Sequence, residues 1–171
     1  MRINIIKWVG LLMLVVGQTA WADTSVDDFL GKAFPGVTPA SHILWLQAPV
    51  RSRALAVLGH EYAGMRVKYW VSGSRTAWVL DEIGKERPIT LGVVVEGGHI
   101  RALSILAYRE SRGSEVGQAF FLRQFTDAAL GKDDRLNHDI DGITGATLSV
   151  AAVGRMARLA LVFDQTVGAT R

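Results

Sequence analysis

Two pairs of extended runs, each turned back by a short glycine-containing segment, constrain the fold of this chain more than any other feature. Met65, Val67, Tyr69 and Val71 alternate with Arg66, Lys68 and Trp70, the period-two pattern of a strand with one buried face. Ser72-Gly73-Ser74 then turns the chain into a run at 76–80, so the pair reads as a hairpin. Beyond a loop at 84–88, runs at 89–95 and 100–106 flank Gly97-Gly98, whose residues can take positive φ in a tight turn. Four strands in two hairpins predict an antiparallel sheet.

Helical signals surround these strands. Asp27, Asp28, Phe29 and Leu30 begin a short helix that should stop before Pro35-Gly36, and residues 51–58 form a second helical stretch. Near the C-terminus, Leu148, Ala152, Met156, Leu159 and Phe163 recur at helical spacing, while Ser149, Arg155 and Arg158 fall off that stripe. The stripe is expected to cover one face of the sheet. Parallel crossovers would need helices of 10–15 residues between successive hairpin strands, and their absence there predicts an α+β domain. No repeat, linker or charge block divides the chain, so residues 23–171 read as one domain with a core at about 65–163.

The first 22 residues read as an address. Arg2 and Lys7 precede an apolar run at 8–16, and Ala20-Trp21-Ala22 offers the small-x-small pattern cut by signal peptidase. Cleavage there leaves 149 of the 171 residues, begins the product at Asp23 and lowers the formal charge from +3 to +1. The expectation is a soluble, exported, periplasmic protein that does not span a membrane; the alternative is an uncleaved amphipathic anchor. No basic stripe remains of the kind that binds nucleic acid. The chain has no cysteine, which excludes disulfides, thiolate metal sites, iron–sulfur clusters and a cysteine nucleophile. His42, His60, His99 and His138 lack the short spacing of a helical metal pair and read as surface or loop residues.

Immediately before the C-terminal stripe stands Asp141-Gly142-Ile143-Thr144-Gly145-Ala146-Thr147-Leu148-Ser149. By itself a threonine there is an ordinary helix N-cap. The whole stretch resembles the motif D-x-x-[S/T]-G-A-T-x-[S/T] of the FMN-binding domain family, and all six specified positions match. Six such matches arise by chance in roughly one chain of this length in ten thousand. Segments at 78–85, 88–89, 108–116 and 121–125 also look like small exported members of that family. Ser111 and Arg112 depart from the Glu-Thr-Pro-Gly that its membrane-anchored relatives carry at 110–113.

The resemblance implies that Thr147 carries FMN through a phosphoester bond, with Asp141, Thr144, Gly145, Ala146 and Ser149 forming its attachment loop. It also implies a separate exported flavin transferase that uses FAD and magnesium, and a membrane or periplasmic redox partner. The phosphate would sit at a helix N-terminus, where unpaired N–H groups and the helix dipole favour an anion. His138, Asp139 and Asp141 stand near Thr147 in sequence and suggest self-modification as an alternative to the transferase. Glu110, Ser111, Gly113 and Trp78 are expected to wall the flavin ring, although Arg109-Glu110 can also be read as a surface ion pair, and Trp45, Trp70 and Trp78 as core or sheet-face residues. The expected role is electron transfer between envelope partners. A small stand-alone flavin reductase and a noncatalytic binding module remain as alternatives; no G-x-G-x-x-G dinucleotide fingerprint supports the first, and the intact Thr147 motif opposes the second.

Overall fold

In the computed structural model, residues 24–169 are described. The order is α1 (Val26–Ala33), β1 (Ala40–Trp45), α2 (Ala48–Leu58), β2 (Arg66–Ser72), β3 (Arg75–Ile83), β4 (Pro88–Glu96) and β5 (His99–Tyr108). Short helical turns follow, including α3 (Ala119–Leu122), and the chain ends in α4 (Thr147–Gly168). The expected signal segment lies outside the described residues. The strands make one antiparallel sheet in the order β1-β2-β3-β4-β5, each pairing with its neighbour in sequence. The fold is α+β, as the hairpins predict.

Both hairpins form where the alternation places them, and Gly97 and Gly98 take φ of +61° and +78° between β4 and β5. The sheet has a fifth strand that the pattern did not signal. β1 pairs along β2 at the sheet edge, and most of its side chains are exposed, so it has no buried face to impose an alternation.

The sheet is covered on both faces. Trp78 and Leu80 of β3, with Leu91, Val93 and Val95 of β4, join Met156, Leu159 and Phe163 of α4 and Val50, Ala54, Val57 and Leu58 of α2 in the main core. On the other face, α1 seals a smaller cluster in which Phe29, Ala33 and Phe34 meet Ala77, Val94 and Leu106. Each of the large apolar side chains contributes about 1.5–3 kcal/mol by leaving water. α1 holds its start through Ser25, whose Oγ accepts from the Asp28 N–H at 3.0 Å.

Two details of α4 differ from the single-stripe reading. Leu148 is 53% exposed, whereas Ser149 is buried. Further along, Leu159, Ala160, Leu161, Val162 and Phe163 are all buried, because α2 and the sheet enclose this part of the helix from more than one side. A helix covered in this way needs no clean polar face. Across it, Thr76 donates to Asp164 Oδ1 at 2.7 Å and accepts from Trp78 Nε1 at 3.0 Å, a buried polar chain between β3 and α4.

Candidate functional site

The segment preceding α4 turns through Thr144 and Gly145, the latter at φ +81°, and the Ala146 N–H closes the turn on the Ile143 carbonyl at 3.0 Å. The first helical bond then runs from the Val150 N–H to the Ala146 carbonyl. The N–H groups of Thr147, Leu148 and Ser149 lie ahead of that bond. Ala146 supplies no side-chain cap for them, in contrast to Ser25 at α1. A 22-residue helix therefore presents an uncapped N-terminus, and exposed Thr147 is its first residue.

A cleft of about 190 Å³ opens at this point. Gly145, Ala146, Thr147, Leu148 and Ser149 form one side, with Lys85, Glu110 and Arg112 across from them. The Lys85 and Arg112 cations add to the positive end of the helix dipole, so the cleft is suited to an anion. Glu110 brings one negative charge to the same lining, which leaves a formal excess of one positive charge there. Its Oε1 accepts from the backbone N–H groups of Lys85, Glu86 and Arg87 at 2.5, 2.7 and 2.9 Å. Desolvation pushes its pKa up, but the three N–H bonds and the Lys85 charge outweigh it and hold the carboxyl below its ordinary value. The residue is a clasp on the β3–β4 turn.

A second clasp joins the 109–113 loop to α4. The Tyr108 hydroxyl donates to the Arg112 carbonyl at 2.5 Å, which commits its only hydrogen. Ser149, 3.0 Å away, is then the donor to Tyr108 Oη. Burial raises the Tyr108 pKa more than the Ser149 bond lowers it, so the phenol stays protonated. Gly113 makes this contact possible, since it takes φ +83° and an added Cβ would lie 2.9 Å from Tyr108 Oη and 3.1 Å from Ser149 Oγ. The loop and the helix start are thereby held as one unit.

Comparison with known families finds a match. The family model described as an FMN-binding domain matches residues 84–162, which begin at the β3–β4 turn and run into α4. Residues 84–162 are similar to the FMN-binding domain family. A search of curated proteins returns no match. The matched segment contains the whole cleft, and the uncapped N–H groups with the Lys85 and Arg112 cations suit the phosphate of a flavin mononucleotide. Flavin binding is the coarse function this supports.

The expected site residues fall into three groups. Gly145, Ala146, Thr147, Ser149 and Glu110 line the cleft together. Thr144 and Asp141 are exposed beside it, and the Asp141 N–H is anchored to Gln124 Oε1 at 2.7 Å. Ser111 is exposed on the loop and Gly113 is buried behind it. Trp78 corrects the expectation of a ring wall. It is fully buried, stacks on Tyr69 at 4.7 Å between ring centres and tilts against Phe163, so it has no free face for a ligand.

Arg109 and Glu110 do not pair. Arg109 donates to Thr90 Oγ1 at 3.0 Å, while Glu110 turns to the 85–87 backbone. His138 is held between Gln124 O and Asn137 Oδ1. Trp45 is exposed and Trp70 half-buried on the sheet. Sequence reasoning missed Lys85 and Tyr108 as site residues and took Arg112 only as part of the 109–113 loop expected to wall the flavin. All three stand in the family-like segments at 78–85 and 108–116, but nothing local in sequence brings them to residue 147.

Proposed function

We propose that the protein is an exported electron carrier whose FMN is attached by a phosphoester bond to Thr147. The observation that carries this reading is the exposed Thr147 hydroxyl at the first position of uncapped α4, with Lys85 and Arg112 on the same cleft. A threonine alcohol needs activation, and among the described residues no group of His, Asp and Glu could hold a metal ion. The attachment is therefore assigned to a separate exported transferase using FAD and magnesium. In that step the Thr147 oxygen bonds to the FMN phosphorus, the phosphoanhydride of FAD breaks, AMP leaves, and the hydroxyl proton passes to the transferase.

The N–H groups of the first α4 turn would hold the phosphate, with Lys85 and Arg112 balancing its charge. The Tyr108–Ser149 clasp orients the 109–113 loop beside them. Asp141 and Thr144, exposed next to the cleft, present the attachment loop to the transferase. The flavin supplies two-electron uptake with one-electron release, and the partners served are a membrane or periplasmic donor and acceptor. Among the described residues no helix is long and apolar enough to cross a membrane.

The test is in-gel flavin fluorescence after denaturation, using protein made with the transferase. Thr147→Ala should lose the signal, while Thr144→Ala and Ser149→Ala retain part of it. A fluorescent Thr147→Ala band would move the attachment elsewhere.

A further inference from the structure

β2 and β3 pair over only four residues, from Tyr69↔Trp78 to Ser72↔Arg75. β2 nevertheless continues along β1 to Arg66, and β3 continues along β4 to Ile83. The two strands therefore splay toward the end of the sheet that carries the 84–87 turn. Between them lies a crevice of about 430 Å³, lined by Leu58, His60, Tyr62, Glu82, Ile83 and Pro88 among others. Its volume falls within the range of about 300–1,000 Å³ that holds small molecules. It shares no lining residue with the Thr147 cleft.

The crevice contains a buried carboxylate with one oxygen in reserve. Glu82 is 6% exposed, and three donors converge on its Oε1: His60 Nε2 at 3.0 Å, Arg155 Nε at 3.1 Å and an Arg155 terminal nitrogen at 2.9 Å. Oε2 takes no donor among the described residues. It is not a sealed orphan, since Arg75 Nε is the one buried side-chain polar atom among those residues that lacks a partner. An acceptor thus faces open space in a largely apolar crevice.

Local charge narrows the class of guest. His60 has the Glu61 carbonyl 3.0 Å from Nδ1 and the Glu82 carboxylate at Nε2. Neither neighbour can donate, so the Glu82 and Glu61 contacts favour the protonated ring and raise the His60 pKa from its ordinary value. With His60 protonated, His60, Arg66 and Arg155 stand against Asp81 and Glu82, an excess of one positive charge. A cation would meet that excess, whereas a neutral donor would not.

We infer that this crevice binds a neutral aromatic molecule bearing a hydroxyl, the phenol class, with its O–H donated to Glu82 Oε2. The ring lies against Leu58, Tyr62, Ile83 and Pro88. The inference does not depend on flavin attachment, and the same measurement applies to the full chain with flavin or as Thr147→Ala.

The experiment is a ¹H–¹⁵N NMR titration with phenol, repeated with anisole, which keeps the ring but lacks the O–H. Phenol should give saturable shifts at 58–66 and 81–88, with a Kd about tenfold below that of anisole, the value of one hydrogen bond to a charged group. Glu82→Gln should erase the preference for phenol. Ala63→Phe, at an exposed lining position, should plug the crevice and weaken phenol by at least about tenfold without disturbing the rest of the spectrum; it decides the matter if Glu82→Gln does not fold. Non-saturating shifts, shifts centred elsewhere, equal affinity for both probes, or unchanged binding to Ala63→Phe would each overturn the assignment.

Discussion

Gly113→Ala tests whether the 109–113 loop is locked to α4 as described. At φ +83° an alanine incurs about 1–2 kcal/mol of left-handed strain. Its Cβ would also stand 2.9 Å from Tyr108 Oη and 3.1 Å from Ser149 Oγ, with Ala146 Cβ at 3.2 Å closing the remaining direction. Tyr108 must move, and it then gives up its bonds to Arg112 O and Ser149 Oγ, about 1 kcal/mol each. The expected loss is about 3–4 kcal/mol, read as a shift of the urea midpoint at constant slope. Gly154→Ala is the control. It lies within α4, its Cβ would meet nothing within 4 Å, and it should gain up to about 1 kcal/mol from helix propensity. A Gly113→Ala protein within about 0.5 kcal/mol of the parent would show that the clasp is absent or yields freely.

Three further predictions follow from the site and the N-terminus. The folded pKa of Glu110 lies below its ordinary 4.5, so as pH falls past 4.5 the unfolded chain takes up the proton first and stability is lost down through the folded pKa; Glu110→Gln should flatten that acid limb in urea unfolding at several pH values, and an unchanged limb would refute the clasp. Lys85→Gln and Arg112→Gln should each slow flavin attachment about two- to fivefold, the value of one surface charge near a helix N-terminus, while leaving the urea midpoint in place; equal rates in both would remove them from the phosphate site. N-terminal sequencing of the periplasmic protein should begin at Asp23, and recovery of the uncut chain in washed membranes would contradict export as a soluble product.

The parts of the fold that were legible in sequence are those where one physical constraint acts alone. The alternation at 65–71 and the Gly97-Gly98 turn are local, and both hairpins form. β1 is fixed instead by pairing with β2 at an edge where Ile43 and Trp45 remain exposed, so its sequence carries no alternation to read. The stripe on α4 was correct for Ala152, Met156, Leu159 and Phe163, but it assumed a single contact face and so placed exposed Leu148 inside and buried Ser149 outside.

Much of the cleft follows the same division. Thr147 and the other cleft residues at 145–149 form one continuous segment, and the motif covers it. The clasps bring distant residues together: Glu110 closes on 85–87, and Tyr108 closes on Ser149 across 41 positions. Trp78 shows the converse limit, since a tryptophan on a strand beside a family-like segment has the same sequence appearance whether it faces a ligand or a core. Its stacking on Tyr69 decides for the core.

The central claim is one FMN on one threonine, and the most direct measurement is tandem mass spectrometry of trypsinised, denatured protein made with and without the flavin transferase. Cleavage after Arg135 and Arg155 yields the peptide 136–155, which contains Thr144, Thr147 and Ser149 together. The account predicts that this peptide gains the mass of FMN less one water only when the transferase is present, with fragment ions assigning the addition to residue 147. An unmodified peptide from transferase-exposed protein, or an addition assigned to another residue, would contradict it.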